Sequence, residues 1–358
     1  MKPTRPNLSV KKEGTSVHKL HKHKPKIGIV LGSGSARGWS HIGVLKCLEQ
    51  HGIVPDVICG TSIGALVGGA YAAGQIKALE SFATSITWKN YLEFIDFKMS
   101  LSGIFSGERI VTLMQQEAKQ TIMIENLPKP FACVATDLRT GKEIWLKKGS
   151  LFHAIRASAA IPLIFDPVKD EERSTKHRTE WLVDGAVVNP LPISLCRALG
   201  ADVVIAVNLN RDILVRNFAK MKTGSLEKAF LSSLNPIPQS VHDTASSLVE
   251  YLSKAKYYFS SPKESVPIET ATSEPITEEE SNVHPPNMVK VITTAINIMQ
   301  QRIMTSRIAG DPPEIELNPK LTEMDTFDFH KGQYAIQCGE ECVKQMLPMI
   351  QETIKRFH

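Results

Sequence analysis

Short apolar runs alternate with glycine-rich turns and helix-period segments along residues 26–210, and this pattern predicts an α/β fold. Residues 26–31 and 55–59 have the character of short buried strands, and each is followed by a tight turn and an amphipathic or small-residue helix. The strand-like run at 202–208 continues the pattern. Because successive strand–turn–helix units favour parallel strands, we expect a mostly parallel central sheet with helices on both faces.

The pattern changes after residue 210, where strongly helical segments dominate. Helical spacing at 288–309 and 333–356 predicts a mainly helical C-terminal extension over 211–358, with a short edge strand at 314–317. Residues 260–287 are rich in proline, glutamate, serine and threonine, a composition that predicts a flexible linker. We therefore expect three parts: a disordered basic tail at 1–25, an α/β domain at 26–210 and the extension.

The positive charge of the chain is concentrated in that tail. The net charge is +5, but residues 1–26 hold eight basic residues and one acid, so the remainder of the chain is slightly acidic. This balance excludes a basic nucleic-acid-binding fold, and we expect no nucleic-acid partner. The tail is either a solvated end or a contact for an anionic membrane surface, and both alternatives stay open.

Cysteine usage and the absence of long apolar runs predict a cytoplasmic protein, at most peripheral at a membrane. The six cysteines include no Cys-x-x-Cys pair, which fits reduced thiols and argues against a zinc ribbon. The basic start is followed by no apolar signal-peptide core, and no run of eighteen apolar residues is present. We expect neither a signal peptide nor a transmembrane helix.

Residues 60–64, Gly-Thr-Ser-Ile-Gly, have the pattern of a nucleophile elbow. A strand is predicted before them and a helix after them, so a tight turn would lift the hydroxyl group of Ser62 clear of the backbone. Gly60 and Gly64 would let the chain fold closely around it. The helix N-terminus adds partial positive charge where an oxyanion would form. An incidental serine in a glycine-rich connection is the alternative.

The glycine-rich loop at 32–38 presents several backbone N–H groups together and suits an anion. No Gly-Lys-Ser/Thr follows, so it is not a P-loop, and the spacing of a dinucleotide-binding turn fails at Arg37. The alternative is an oxyanion hole that faces a nucleophile on the neighbouring strand. Arg37 would then orient the loop or contact an anionic headgroup, unless it is a surface residue at a helix N-terminus.

A serine nucleophile needs a base, and the histidines are poorly placed for that role. His41 lies inside the first predicted helix, while His153, His177 and the tail histidines follow no suitable strand. We expect them to be structural or exposed. Asp184 follows an apolar run and precedes Gly185, so it is expected at a strand end. A buried carboxylate bonded to the serine could act as its base, and a turn-forming aspartate is the alternative.

Several segments together resemble one known family, the patatin-like phospholipases (acylhydrolases), in its bacterial branch. They are the glycine-rich loop with Arg37-Gly38, the elbow at 60–64, Arg-Ala-Ser-Ala-Ala-Ile-Pro at 156–162 and the segment 182–190 with Asp-Gly-Ala. The resemblance covers about 26–210. It implies the patatin-like α/β fold and a lipid acyl ester as substrate, without a metal ion or another cofactor, and it gives Arg37, Gly38 and Gly185 supporting roles.

The resemblance also implies a Ser–Asp dyad that works without histidine. Ser62 would be the nucleophile and Asp184 its base, while backbone N–H groups around Ser33, Gly34 and Ser35 would form the oxyanion hole. The family commonly has three glycines in this loop, so the two serines depart from its pattern. Their side chains could narrow the site or strain the loop.

We therefore expect a serine acylhydrolase that cleaves acyl esters of phospholipids or related lipids through an acyl-enzyme. One alternative is a catalytically weak or inactive lipid-binding or regulatory protein on the same fold, motivated by Ser33 and Ser35. A nucleotide-binding enzyme rests on the glycine-rich loop alone. The sequence does not indicate an oligomeric state. Apolar candidates for the lining of a substrate pocket are Leu101, Ile104, Phe105 and Ile164.

Overall fold

A computed structural model describes residues 24–87, 121–162, 164–176, 178–211 and 288–357 of the chain. Several sequence-based expectations lie outside the described residues. These are the tail up to residue 23, the linker at 260–287, His177 and the pocket candidates Leu101, Ile104 and Phe105.

An eight-stranded sheet forms the centre of the described structure, with the strand order β5-β6-β3-β2-β1-β7-β8 and β4 paired to β3. Its strands are β1 (Ile27–Leu31), β2 (Val57–Thr61), β3 (Phe131–Asp137), β4 (Glu143–Leu146), β5 (Val168–Thr175), β6 (Arg178–Asp184), β7 (Val203–Val207) and β8 (Ile315–Leu317). Strands β3, β2, β1, β7 and β8 are mutually parallel, whereas β4 and β6 run antiparallel to β3. The predicted mostly parallel sheet is confirmed.

Helices cover both faces of this sheet, as predicted. The helices of the described residues are α1 (Ser40–Gln50), α2 (Ile63–Ala72), α3 (Ile76–Ser85), α4 (Leu151–Ser158), α5 (Ile193–Ala198), α6 (Met288–Gly310) and α7 (Gly332–Arg356). Strand β1 is buried on both sides: Ile29 packs into the larger apolar cluster with α1, α2 and α4, and Val30 packs into the cluster with α5. Such two-sided burial explains why the parallel strands are continuous apolar runs.

The sheet register brings three chain turns together at one edge. Leu31 at the end of β1 pairs with Gly60 of β2, so the loops that follow these two strands are neighbours. Strand β6 runs the opposite way and places Asp184 opposite Ala135 of β3. The turn after β2 and the carboxyl end of β6 are therefore close in space, although they are far apart in sequence.

The C-terminal region adds both a strand and a helix to the first part of the chain. Strand β8 pairs with β7, which confirms the edge strand expected at 314–317. Helix α7 packs on α1 with the two backbones in contact: a Cβ atom at Gly43 would overlap the Ile336 carbonyl group, and one at Gly339 would overlap that of Ser40. Side chains at these two positions would force the helices apart.

The chain divides into two compact units, Met1–Leu209 with Arg302–His358, and Asn210–Gln301. The predicted boundary at 210 falls beside the first division, but the end of the predicted extension belongs to the first unit. Within the second unit, the described residues include the first turns of α6, and the Gln301 side-chain amide donates to the Arg211 carbonyl oxygen at 3.5 Å. Among the described residues, no helix has both the length and the hydropathy that crossing a membrane requires.

Candidate active site

The turn between β2 and α2 holds Ser62 in an unusual backbone conformation. Its φ is 59° and its ψ is −122°, a combination that side-chain-bearing residues rarely adopt and that is often found at functional sites. The turn is packed too tightly for side chains at its two glycines. A Cβ atom at Gly60 would overlap the Gly64 carbonyl group, and one at Gly64 would overlap that of Leu31. The predicted elbow is therefore a sharp strand-to-helix turn against β1.

Asp184, the last residue of β6, meets Ser62 directly. The Ser62 hydroxyl donates to Asp184 Oδ2 at 2.6 Å, and both side chains are buried. The other carboxylate oxygen, Oδ1, accepts the Ala186 backbone N–H at 2.7 Å, which fixes the plane of the carboxylate. Gly185 allows this turn to lie against β3, because a Cβ atom there would overlap the Val134 carbonyl group. The structure thus brings together the serine and the aspartate singled out in the sequence.

Burial changes the acidity of this carboxyl group. Loss of solvent raises the pKa of Asp184 to about 7, although the hydrogen bonds from Ser62 and from the Ala186 backbone act in the opposite direction. Near neutral pH, the group is therefore able to hold a proton or release it. A group that exchanges a proton with a bonded serine needs such an intermediate affinity.

Residues 32–35, which we call the oxyanion loop, connect β1 to a 3₁₀ turn at Ser35–Trp39. The Ser33 N–H donates to the Pro190 carbonyl oxygen at 2.9 Å and is already occupied. In the described part of the chain, the N–H groups of Gly34 and Ser35 have no such partner. Ser35 has a φ of 51°, in the left-handed region that favours glycine. Of the three predicted donors, Gly34 and Ser35 are the ones whose N–H groups have no backbone partner among the described residues.

Arg37 and Gly38 hold the 3₁₀ turn over the start of α2. The Arg37 side chain is 5% exposed, and its Nη1 donates to the Leu209 carbonyl oxygen at 3.4 Å. This burial favours the role of orienting the loop over contact with a headgroup. A Cβ atom at Gly38 would overlap the Ile63 side chain, so the turn can approach the residue after the nucleophile only with glycine there.

Ser158 also lies beside Ser62, although no sequence pattern singles it out. Located at the end of α4, it accepts the Ser62 backbone N–H at 3.0 Å and donates to the Val134 carbonyl oxygen at 2.6 Å. It therefore ties the backbone of the nucleophile to β3. The resemblance marked the segment 156–162, but only the folded chain reveals which hydroxyl group reaches Ser62.

The histidines take no part in the bond between Ser62 and Asp184. His41 is buried in α1 and bonds to the Gly32 carbonyl oxygen, and His153 is half-buried in α4. Within the described ranges, no group of three or more His, Cys, Asp and Glu side chains is arranged to hold a metal ion.

Comparisons with known proteins agree with this fold. A family model described as patatin-like phospholipase matches residues 29–197. An uncharacterized NTE family protein of Mycobacterium bovis is 30% identical over 339 residues, which span 90% of this chain and 91% of that protein. One from Mycobacterium tuberculosis gives the same values. The chain is thus a bacterial-type patatin-like phospholipase family member; more narrowly, it belongs to the NTE family.

Two more distant similarities concern parts of larger or more divergent proteins. The mouse patatin-like phospholipase domain-containing protein 6 is 35% identical over 189 residues, which cover 51% of this chain and 13% of that protein. A crystal structure of VipD from Legionella pneumophila aligns over 94% of this chain and 80% of that one, with a TM-score of 0.34 and 13% identity. The second likeness is too remote to bear on function.

Proposed function

We propose that this protein is a serine acylhydrolase that cleaves acyl ester bonds of phospholipids or related lipids. Family membership supports lipid ester hydrolysis as the class of reaction. The observation that supports the catalytic pair is the 2.6 Å hydrogen bond from Ser62 to Asp184 at a sharp strand-to-helix turn. In this proposal Ser62 is the nucleophile and Asp184 is its base.

The first half-reaction transfers the acyl group to the enzyme. Ser62 Oγ attacks the ester carbonyl carbon while its proton passes to Asp184 Oδ2. The carbonyl oxygen becomes an oxyanion that accepts hydrogen bonds from the Gly34 and Ser35 N–H groups, and losing one such donor typically costs about 10²–10³ in rate. When the intermediate collapses, the ester carbon–oxygen bond breaks and Asp184 returns the proton to the leaving alkoxide.

The second half-reaction releases the acyl group as a carboxylic acid. Water attacks the carbonyl carbon of the acyl-enzyme while Asp184 accepts a proton from the water. The Gly34 and Ser35 N–H groups bind the second oxyanion. Collapse breaks the bond to Ser62 Oγ, which takes the proton back from Asp184. The aspartate alternates between base and acid, a role that suits a carboxyl group whose pKa lies at about 7.

A lipid-binding protein with little or no turnover is the second candidate function. Two observations favour it: the Ser33 N–H is occupied by Pro190, and Ser35 has the backbone conformation of a glycine. Both could weaken an oxyanion hole. The experiment on the nucleophile separates the two candidates.

The test is covalent labelling with a fluorophosphonate, detected by intact mass. We expect one adduct on the wild type and none on Ser62→Ala, because the reagent needs an activated serine. Ser81→Ala is the matched control: Ser81 is exposed on α3 and its hydroxyl donates to the Lys77 carbonyl oxygen of the same helix, so this variant should label fully. A folded wild type that takes up no label would overturn the hydrolase and favour the binding protein.

We also propose that the basic residues of the tail at 1–25 hold the enzyme at an anionic membrane surface, where its substrates lie. The support is the concentration of positive charge in that segment. Near an anionic surface, each basic residue contributes about 1 kcal/mol.

A further inference from the structure

His41 is the second residue of α1, and its imidazole has no exposure to solvent. Nε2 lies 2.8 Å from the carbonyl oxygen of Gly32. Because a carbonyl oxygen can only accept a hydrogen bond, Nε2 must carry the proton and donate it. This bond ties the first turn of α1 to the residue at which β1 ends and the oxyanion loop begins.

The Gly32 peptide lies directly against the nucleophile elbow. The Gly32 N–H donates to the Val207 carbonyl oxygen at 3.1 Å. A Cβ atom at Gly64 would come within 2.9 Å of the Gly32 carbonyl oxygen. A carbonyl group enclosed in this way needs a donor from the protein. Among the described residues that donor is His41. The imidazole therefore fixes the direction in which the chain leaves β1.

The other side of the oxyanion loop is also anchored. The Ser33 N–H donates to the Pro190 carbonyl oxygen at 2.9 Å, and the Arg37 N–H donates to that of Gly34 at 3.3 Å. Between these bonds lie the Gly34 and Ser35 N–H groups, which have no partner in the described part of the protein. Their direction is set by how the peptides around them are held.

His41 does not serve as an acid or a base in this arrangement. Its bonded partner is a carbonyl oxygen, and burial lowers its pKa to about 4, so the ring is neutral at neutral pH. Nδ1 is buried with no hydrogen-bond partner among the described residues, which is unfavourable for a polar atom. A leucine would fill the space without that cost. What the imidazole adds is the single N–H bond to Gly32.

We propose that His41 is a positioning residue that holds the oxyanion loop so that the Gly34 and Ser35 N–H groups point at the developing oxyanion. The expected effect of His41 on ester hydrolysis rests on the proposed function, whereas its effect on the conformation of the oxyanion loop is independent of that function. A purely structural core histidine would stabilise the fold but would leave the loop and the turnover rate unchanged once the protein is folded.

Three variants separate the two roles. In His41→Gln, the side-chain amide nitrogen reaches about as far as Nε2 and can still donate to Gly32. In His41→Asn, the same chemical group reaches only about as far as Nδ1, so the bond to Gly32 is lost. His41→Phe fills the space and offers no donor. The Gln and Asn variants form the matched pair, because both place one amide in the same buried position.

Steady-state hydrolysis of a short-chain p-nitrophenyl ester is the first measurement. We expect kcat to fall by about tenfold to a hundredfold in the Asn and Phe variants, with KM changed less than about twofold, because a small misplacement of the loop weakens transition-state binding. The Gln variant should keep most of kcat. Equal kcat in the Gln and Asn variants, with differences only in Tm, would overturn the proposal.

Hydrogen–deuterium exchange of peptides covering residues 32–36, without substrate, is the second measurement. Faster exchange in the Asn and Phe variants than in the wild type and the Gln variant supports the positioning role, and equal exchange in all four contradicts it. If the wild type hydrolyses the ester no faster than Ser62→Ala, the proposed function is contradicted. The exchange measurement would still decide whether His41 positions the loop. If hydrolysis depends on Ser62 and every His41 variant keeps the wild-type kcat, only the positioning role fails.

Discussion

Asp184 holds its carboxyl group where water hardly reaches, and its proton affinity follows from that location. Burial is the largest influence and raises its pKa to about 7, while the bonds from Ser62 and Ala186 moderate the rise. A carboxylate in water would be ionised at all physiological pH values and would be a weak base. The fold thus gives the carboxyl group of Asp184 a proton affinity close to that of an ordinary histidine side chain.

The activity should follow the ionisation of this group. Asp184 accepts a proton only when it is ionised, so we expect kcat/KM for ester hydrolysis to rise as the pH increases through about 7 and then to level off. The measurement is the pH dependence of kcat/KM between pH 5 and 9 under conditions in which the protein stays folded. A profile that is flat over this range would contradict the assignment of Asp184 as the base.

The same pKa has a consequence for stability, which serves as a control without substrate. A folded-state pKa above the unfolded value favours the folded state at low pH, and that contribution is lost as the pH rises through about 7. Relative to Asp184→Asn, the free energy of unfolding of the wild type should therefore fall by up to about 4 kcal/mol between pH 4 and 9.

Residues that stand in a recognisable local pattern could be singled out from the sequence, whereas residues that only their contacts in the folded chain distinguish could not. Ser62 lies in the five-residue motif at 60–64, between a predicted strand and a predicted helix, and Asp184 follows an apolar run. Ser158 and His41 bond to backbone atoms of β3 and of the oxyanion loop. No spacing in the sequence encodes those contacts, because the sheet register creates them.

At the scale of elements, a chain of bonds links α6 to the strand that ends at the nucleophile. Arg307 of α6 donates to Glu143 Oε2 at 2.8 Å, and Glu143 Oε1 accepts the side-chain amide of Asn189 at 2.8 Å. The Asn189 carbonyl oxygen in turn accepts the Thr61 hydroxyl at 2.9 Å. Asn189 is fully buried, whereas Arg307 is partly exposed.

The hydrogen bond between Glu143 and Asn189 should contribute more to the free energy of unfolding than the ion pair between Arg307 and Glu143. Glu143→Ala leaves the buried Asn189 amide without its acceptor, and we expect the free energy of unfolding to fall by about 1–3 kcal/mol. Arg307→Gln removes a partly exposed ion pair and should cost less than about 1 kcal/mol. Urea unfolding measures both, with Arg356→Gln as a control on the exposed pair with Glu352. Equal losses in the first two variants would mean that the ion pair, not the amide bond, stabilises the link.

Strand β5 was not predicted, and its sequence explains why. Val168–Thr175 is mostly charged, yet Val168 and Asp170 are buried and alternate with exposed neighbours. Asp170 is buried because Arg173 pairs with it at 2.6 Å. An ion pair inside an edge strand breaks the apolar pattern on which strand prediction depends, whereas the wholly apolar β1 and β7 were predicted almost to the residue.

At the scale of the whole molecule, the proposed contact of the basic tail with an anionic membrane leads to a test. Removing residues 1–25 should weaken binding to liposomes that contain anionic lipid, because these residues include seven basic side chains and one acidic one, whereas acidic side chains slightly outnumber basic ones in the rest of the chain. Added salt should weaken binding of the full chain in the same way. Sedimentation with anionic and with zwitterionic liposomes measures both effects. Unchanged binding after truncation would leave the tail as a solvated end.

The C-terminal segment also supports the site, although the sequence pattern predicts it as an extension separate from the α/β domain. The Ala36 N–H donates to the Thr326 carbonyl oxygen at 3.1 Å, and the Trp39 indole donates to that of Phe329 at 3.2 Å. Helix α7 lies on α1 at Gly43 and Gly339. Such contacts between distant residues leave no local pattern, so this part of the architecture became evident only in the folded chain.

The contact between α1 and α7 has a consequence for the order of events during translation. Helix α1 emerges from the ribosome early, but the helix that packs on it follows almost 300 residues later, about 15–60 seconds at ordinary elongation rates. Until then, the helix that bears His41 lacks its partner. A nascent chain would therefore carry both Ser62 and Asp184 before α7 is available to pack on α1, so we expect the packing of α1 to be completed only after synthesis has passed α7.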